Sequence, residues 1–390
     1  MKKNSSSITP LVMLAAGGTG GHMFPAEALA HELRKRGLRV CLVTDQRGGH
    51  FSADFSAFPV YAVQASSLGK NFFAKVKGVT NMLLGTLQAW RLIRKLKPSL
   101  VVGFGGYPCV PPVFAASRVG IPILLHEQNA IAGRANKILK PLAKAIATSF
   151  PSVKGLENAR TVLTGNPVRL GICALHEQPY PVAAENGQLK ILVMGGSLGA
   201  SVFGEVVPKA VKLLPENLRR RLVIAQQCRK ADIDAVQHAY AESGMQPELA
   251  TFFNDVPDRL AECHLVICRS GASTIAELAA AGRPSILVPY PHAVAGEQKA
   301  NAEALADAGG AWLIPEQAFT PEALAVRLES LLNLPATLTK TAAAAKSLAR
   351  LSATSQLADL ACTLMGLSPG GDKEVYPMDE TNQSMDSAAA

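Results

Sequence analysis

Aromatic residues are scarce, at 5% of the 390, and only two are tryptophan. A core with few large rings is filled by small and branched aliphatic side chains, which suits helices packed closely on parallel sheets. The seven cysteines, at 41, 109, 173, 228, 263, 268 and 362, are odd in number and form no CxxC pair. That pattern argues against a disulfide framework and reads as reduced, mostly buried thiols in a cytosolic protein. Long unbroken apolar runs are missing too. The uncharged stretch 99–117 is broken by Pro108, Pro111, Pro112 and several glycines, so no membrane-spanning helix is expected. The start, Met1-Lys-Lys-Asn4, is followed by an apolar stretch too short for a signal peptide, and it ends in a glycine loop rather than a cleavage site. Acidic residues are absent from 55 to 126, where eight lysines and arginines stand: 70, 75, 77, 91, 94, 95, 97 and 118.

Against these absences, 48% of the chain is hydrophobic, enough for two buried cores. The formal net charge is +9. Residues 371–390 hold five acids and one lysine, so the rest of the chain is more basic still. A basic body suggests an anionic partner: nucleic acid, a phosphorylated substrate or a membrane surface. No RNP, zinc-finger or helix-turn-helix signature supports nucleic acid, and none is expected as a partner.

Residues 1–166 alternate between strand and helix patterns. Strands are expected at 11–16, 40–44, 60–63, 100–103, 121–125 and 144–148, with helices at 25–36 and 82–96 among them. A second series starts at Lys190, with strands at 191–194, 222–225, 265–268, 285–288 and 311–314. This indicates an α/β protein with two doubly wound parallel sheets. The hinge is placed at Gly165-Asn-Pro-Val-Arg169. The expected domains are 1–166 and 167–344, with a C-terminal helix at about 345–366 returning to the first. Residues 171–189 read as irregular, and 368–390 as a disordered acidic tail.

The chemistry concentrates at strand ends. The strand 11–16 runs into Gly17-Gly-Thr-Gly-Gly-His22 and then a helix. Such a turn lets backbone N–H groups and a helix N-terminus approach a phosphate. The pattern recurs at Gly195-Gly-Ser-Leu-Gly-Ala200. The first loop is not GxGxxG, which argues against an ordinary NAD site, although Asp45 ends the next strand roughly where a ribose-binding acid would sit. His22, at a helix start, suits a neutral general base; a loop-bracing histidine is the plainer alternative. His126-Glu-Gln-Asn129 follows an apolar run and is not HExxH, so no metal is expected. Cys268-Arg-Ser-Gly-Ala-Ser-Thr-Ile-Ala-Glu277 again runs from strand through turn to helix, with Glu277 one helical turn after Ser273. A carboxylate there can accept both hydroxyls of a ribose; a solvent-facing glutamate is the alternative. The segment around 68–84 interleaves Leu68, Phe72, Phe73, Val76, Val79, Met82, Leu83 and Leu84 with the basic residues, and suits an anionic bilayer surface.

Taken in order, these motifs closely resemble those of the MurG family of bacterial transferases, glycosyltransferase family 28. The residues that carry the resemblance are Gly17–His22, Gly103-Phe-Gly-Gly-Tyr107, His126–Asn129 with Ile131-Ala-Gly133, Gly165–Arg169, Gly195–Ala200, Cys268–Glu277, Gln298 and Asn301. The resemblance spans about 9–365. It implies a GT-B fold, two Rossmann-like domains facing across a cleft. It also implies an inverting, metal-independent transfer of N-acetylglucosamine from UDP-GlcNAc to the C4 hydroxyl of undecaprenyl-diphospho-N-acetylmuramoyl-pentapeptide, lipid I to lipid II, with no cofactor. The enzyme would work as a peripheral protein on the cytoplasmic face of the inner membrane, touching its anionic surface through residues about 68–97. Cell-wall synthesis or division proteins would be its partners.

By the same resemblance Thr19, Gly20 and Gly21 line the cleft, and Asn129, Arg169, Ser197 and Gln298 contact the nucleotide sugar. Phe253 meets uracil through its backbone. Ala272, Ser273, Thr274, Ile275, Ala276 and Glu277 hold diphosphate and ribose, with Glu277 on the ribose hydroxyls. His22 is the candidate base. Leu198 and Glu297 depart from the family pattern, each standing where relatives carry glutamine. Other GT-B activities, such as a UDP-GlcNAc 2-epimerase or a glycolipid glycosyltransferase, are the alternatives, and a non-catalytic binding scaffold is a third.

Overall fold

A computed structural model describes residues 9–18, 20–45, 54–66, 71–184, 186–196, 199–293 and 295–369, without the side chains of 54 and 72–74. The first half runs β1 (Leu11–Ala15), α1 (Gly20–Lys35), β2 (Arg39–Thr44), β3 (Val60–Ala62), α2 (Phe72–Leu96), β4 (Leu100–Gly103), α3 (Val110–Val119), β5 (Ile123–Glu127), α4 (Arg134–Leu139), β6 (Ala145–Thr148) and β7 (Thr161–Leu163). Its strands form one parallel sheet in the order β3-β2-β1-β4-β5-β6-β7. The central strands are buried on both faces, which is why they read as continuous apolar runs rather than alternating ones.

The second half continues with α5 (Leu170–Cys173), β8 (Leu189–Met194), α6 (Ser201–Leu213), α7 (Glu216–Arg219), β9 (Leu222–Gln227), α8 (Ile233–Ala241), β10 (Glu248–Ala250), α9 (Val256–Glu262), β11 (Leu265–Cys268), α10 (Ala272–Ala281), β12 (Ser285–Leu287), α11 (Glu297–Asp307), β13 (Ala311–Leu313), α12 (Pro321–Leu332), α13 (Pro335–Ser347) and α14 (Ala353–Leu364). The sheet order is β10-β9-β8-β11-β12-β13, again parallel throughout. In both sheets the strand order therefore reverses once, between β1 and β4 and between β8 and β11. In open α/β sheets the crevice at the carboxyl ends of those strands is where ligands bind.

Several boundaries differ from the pattern reading. Helix α1 starts at Gly20, so Pro25 lies inside it rather than opening it. Pro25 has no N–H to give the carbonyl of Gly21, but Gly21 is exposed and water can serve that carbonyl. Helix α2 begins at Phe72, ten residues ahead of Met82. Strand β5 extends to Glu127, which carries His126 and Glu127 into the sheet. The three-residue edge strands β7 and β10 were not expected, because they are too short to show a period. The stretch 171–189 is not wholly irregular. It holds α5 and a helical turn at Ala174–Glu177 that bury Ile172 and Leu175 in the second core.

The helical C-terminus breaks at 348–352. Beyond the break, Leu357, Ala358, Ala361 and Cys362 of α14 enter the first sheet's core beside Met23, Leu29 and Leu33 of α1. Arg36 ties the two helices, donating to Glu32 at 2.8 Å and to Asp359 at 2.6 Å. A different device closes the second domain. Arg283 is fully buried and donates to the carbonyls of Leu260, Ala261, Ala281 and Gly282. It thereby satisfies the orphan carbonyls that end α9 and α10, where the helix dipoles favour a cation.

Candidate active site

The first switch point is built from glycine. A Cβ on Gly17 would lie 2.9 Å from both Pro108 and the Thr44 hydroxyl, so only glycine lets β1 turn into α1 there. The turn presents the free N–H groups of the first turn of α1. Gly20 is buried, Gly21 is exposed, and Thr19 lies outside the described residues. The loop after β4 makes the facing wall. Gly105 and Gly106 adopt φ of +86° and +70°, and a Cβ at either would sit 3.3 Å from the His22 ring. Gly105 and Gly106 thus form the seat of that imidazole, a role not evident from spacing alone.

His22 stands in the first turn of α1, half-buried. Its Nδ1 is 3.3 Å from Gln128 Oε1. Burial pushes its pKa below the ordinary 6.5, against the opposing pull of the Glu127 carboxylate, Gln128 and the Phe104 carbonyl. Gln128 Nε2 lies 3.0 Å from the Phe104 carbonyl and 3.0 Å from His126 Nδ1. His126 is fully buried, its Nε2 lies 3.1 Å from the Gly165 carbonyl, and burial lowers its pKa to about 4. Glu127 is buried too. Its carboxylate accepts from the N–H of Asn129 at 3.0 Å, the N–H of Gly133 at 2.9 Å and Asn136 Nδ2 at 2.9 Å. That carboxylate organises the 128–133 loop and sets a negative charge near His22.

Asp45 is not open to a ribose: it is buried and accepts from the Tyr107 hydroxyl at 2.8 Å. That removes the one feature of the sequence that pointed towards NAD.

The second switch point uses ion pairs and amides. Gly195 packs so tightly that a Cβ would lie 2.4 Å from the Ala200 nitrogen. Gln227, at the end of β9, holds this loop from its side chain. It accepts from the Gly195 N–H at 3.1 Å and donates to the Gly196 carbonyl at 3.1 Å. Sequence reasoning missed Gln227; its signal was a polar residue closing an apolar strand. Ser197 and Leu198 lie outside the described residues.

In α10, Ala272 and Ile275 pack inward, while Ser273, Thr274, Ala276 and Glu277 are half-buried. Arg169 donates to Glu277 Oε1 through Nε at 3.1 Å and Nη2 at 2.9 Å. Burial raises the Glu277 pKa, and Arg169 opposes the shift. Gln298 Oε1 accepts from the Tyr290 N–H at 2.9 Å, and the Gln298 carbonyl accepts from Ser270 Oγ at 2.8 Å. Glu297 accepts from the Ala295 N–H at 2.9 Å. Phe253 is buried in the core beside α9, with the Arg259 guanidinium 4.0 Å over its ring.

The two points meet. Asn301 is fully buried. It accepts from the Ala130 N–H at 2.8 Å and donates to Asn129 Oδ1 at 3.0 Å and to the Ser270 carbonyl at 3.2 Å. Arg169 lies 5.3 Å over the Phe24 ring of α1. Asn301 and Arg169 thus bring the two switch points into side-chain contact, through Asn129 and Ala130 on one side and Phe24 on the other. A cavity of about 510 Å³ opens beside α10, lined by Asn166, Ala272, Ile275, Ala276, Leu348 and Arg350. Among the described residues no group of three or more His, Cys, Asp or Glu could hold a metal, and no helix is long and apolar enough to cross a membrane.

Helix α2 shows an outward apolar stripe. Val76, Val79, Leu83 and Leu87 are 43–67% exposed, flanked by exposed Lys75, Lys77, Arg91, Arg94 and Lys95. The helix is seated by Gly85, where a Cβ would meet the Gln64 carbonyl at once. Residues 67–70 lie outside the described residues.

Comparison with known proteins follows the same division. Residues 12–148 match the glycosyltransferase family 28 N-terminal domain, and 190–360 match the family 28 C-terminal domain. A Rhodospirillum centenum protein is 53% identical over 93% of this chain and 97% of its own length. Its name is UDP-N-acetylglucosamine--N-acetylmuramyl-(pentapeptide) pyrophosphoryl-undecaprenol N-acetylglucosamine transferase. A Brucella abortus protein of the same name is 49% identical over 90% of this chain and 93% of its own. The crystal structure of Acinetobacter baumannii MurG superposes with a TM-score of 0.73 at 34% identity, covering 90% of this chain and 98% of that one. A UDP-GlcNAc 2-epimerase from Neisseria meningitidis superposes at 0.61 with 15% identity, covering 90% and 100%, a likeness of fold alone.

Proposed function

From the chain's place in glycosyltransferase family 28, to which it belongs, we infer that it transfers N-acetylglucosamine from UDP-GlcNAc to undecaprenyl-diphospho-N-acetylmuramoyl-pentapeptide. The product is the disaccharide-linked lipid of peptidoglycan synthesis. One observation carries the reading beyond fold. His22, which burial keeps below its ordinary pKa, stands at the first switch point, and the Arg169–Glu277 pair at the second, in a chain about half identical to transferases of that name.

The chemistry follows from the residues. The acceptor's C4 hydroxyl attacks the anomeric carbon from the face opposite UDP, so the configuration inverts. His22 takes the hydroxyl proton; its lowered pKa keeps it neutral and ready near pH 7. The imidazolium that forms is stabilised by the buried Glu127 carboxylate. UDP leaves with a growing negative charge. The N-terminus of α10, at Ala272, Ser273 and Thr274, and Arg169 receive that charge. Of the five guanidinium donors of Arg169, two go to Glu277, and among the described residues no hydrogen bond takes the others, which would serve the diphosphate. Glu277 takes the ribose hydroxyls, and Asn129 and Gln298 read the sugar. The first glycine loop, Gly20 and Gly21, faces the acceptor's own diphosphate.

The exposed stripe and basic flanks of α2 hold the enzyme on the anionic cytoplasmic surface of the inner membrane, where the acceptor lies. Cell-wall synthesis and division proteins are its expected neighbours. The test is transfer of labelled GlcNAc from UDP-GlcNAc to a lipid I analogue, with and without EDTA. Product with UDP release supports the reading. Binding of UDP-GlcNAc without transfer overturns the acceptor and favours another GT-B reaction.

A further inference from the structure

We propose that Gln128 is a positioning residue that holds His22 in the tautomer with its proton on Nδ1 and its lone pair on Nε2, and that His126 sets Gln128 from the Gly165 carbonyl of the interdomain linker. The proposal rests on the reading of His22 as the base.

The tautomer is assigned from the hydrogen-bond network, which admits one consistent set of protons. Two backbone carbonyls fix its ends, because a carbonyl can only accept. At one end, the Gly165 carbonyl lies 3.1 Å from His126 Nε2, so that nitrogen carries a proton. A neutral His126 then has its lone pair on Nδ1, and burial keeps it neutral. Nδ1 accepts from Gln128 Nε2 at 3.0 Å. At the other end, the Phe104 carbonyl accepts from the same amide nitrogen at 3.0 Å. The His126 carbonyl lies 3.4 Å from the same nitrogen, so three acceptors surround its two protons and the amide cannot flip without setting its oxygen against two carbonyls. Its oxygen faces His22 Nδ1 at 3.3 Å, and an amide oxygen only accepts. Nδ1 of His22 must therefore hold the proton.

The consequence is chemical. With the lone pair on Nε2, the open end of the ring can take a proton from a hydroxyl. In the other tautomer the base nitrogen would face Gln128, and an N–H would face the acceptor. A triad histidine held in the wrong tautomer loses about 10⁴-fold in turnover, so the stake is large. The 3.3 Å contact is longer than a typical hydrogen bond, and the effect expected here is smaller.

The experiment uses the full chain labelled with [15N]histidine, at a pH where His22 is neutral, with His22 resonances assigned by their loss in His22→Gln. Wild type should show a protonated Nδ1 and an unprotonated Nε2. Gln128→Leu should shift the signal towards the Nε2-protonated form and lower kcat by about 10–100-fold, with KM for UDP-GlcNAc within about twofold. His126→Phe keeps the ring that packs on Phe104 but removes the acceptor, and should give a smaller shift and a smaller loss. A wild-type Nε2-protonated tautomer overturns the proposal even if no variant folds. So does a Gln128→Leu protein with unchanged tautomer or unchanged kcat. Full turnover by His22→Ala is a different failure: it sinks the base assignment itself and is read without reference to the tautomer.

Discussion

The two halves of the chain share a strand order but equip their switch points differently. The first half places a titratable ring in a glycine seat, backed by two buried side chains and a buried carboxylate. The second half places an arginine–glutamate pair and a row of amides and hydroxyls around a helix N-terminus. The scaffold repeats; the chemistry does not. In the proposed reaction, proton transfer falls to the first switch point and charge neutralisation to the second.

The sharpest way to break the comparison is His22→Ala. Turnover should fall by about 10²–10⁴-fold while the Kd for UDP-GlcNAc stays within about twofold. In wild type the acid limb of the kcat/KM profile should lie below pH 6.5, because burial lowers the pKa of His22 in the free protein and the base must be neutral to act. A limb above 6.5 would contradict that.

Stability against pH is the next largest effect. His126 titrates near 4 when folded and near 6.5 when unfolded. The unfolded chain therefore binds more protons between those values, and stability falls as pH drops through that window. The loss should approach about 3 kcal/mol at the acid end, measured by denaturant unfolding. His126→Phe should flatten that slope.

Glu277→Gln probes the other side. It should raise KM for the donor by about 10–100-fold with a smaller change in kcat, since a buried hydrogen-bonded charge pair is disrupted. If kcat fell and KM held, the division of labour between the halves would be wrong. The smallest effect concerns the outer face of the first half. Leu83→Asp should weaken binding to anionic vesicles by about tenfold, from lost apolar insertion and added repulsion, without changing turnover of a soluble acceptor analogue.

Much of this was legible in the sequence, for physical reasons. Strands buried on both faces announce themselves as apolar runs, and a strand-glycine-helix junction such as 11–22 has few other uses. The two short edge strands were not legible, because three residues carry no period. Nor were the partners of the site. The roles of Gln128 and Gln227 depend on which backbone atoms lie opposite, and that is set by sheet register, not by local spacing. Asn301 stood out only through resemblance; its bridging of the cleft emerges when β5 and α11 are brought together. The start of α1 was misjudged because Pro25 is a good first residue, and the glycines ahead of it look like loop until their conformation is known.

The docking of α14 has a consequence for how the molecule is made. Leu357, Ala358, Ala361 and Cys362 complete the core around β1 and α1, yet they leave the ribosome long after the rest of that core. Domains generally fold as units, the N-terminal one first during synthesis. Here the second sheet can close around its own continuous segment while the first still lacks one wall. The half translated first is the half finished last, and a chain stopped before α14 would carry a complete second half beside an open, aggregation-prone first half.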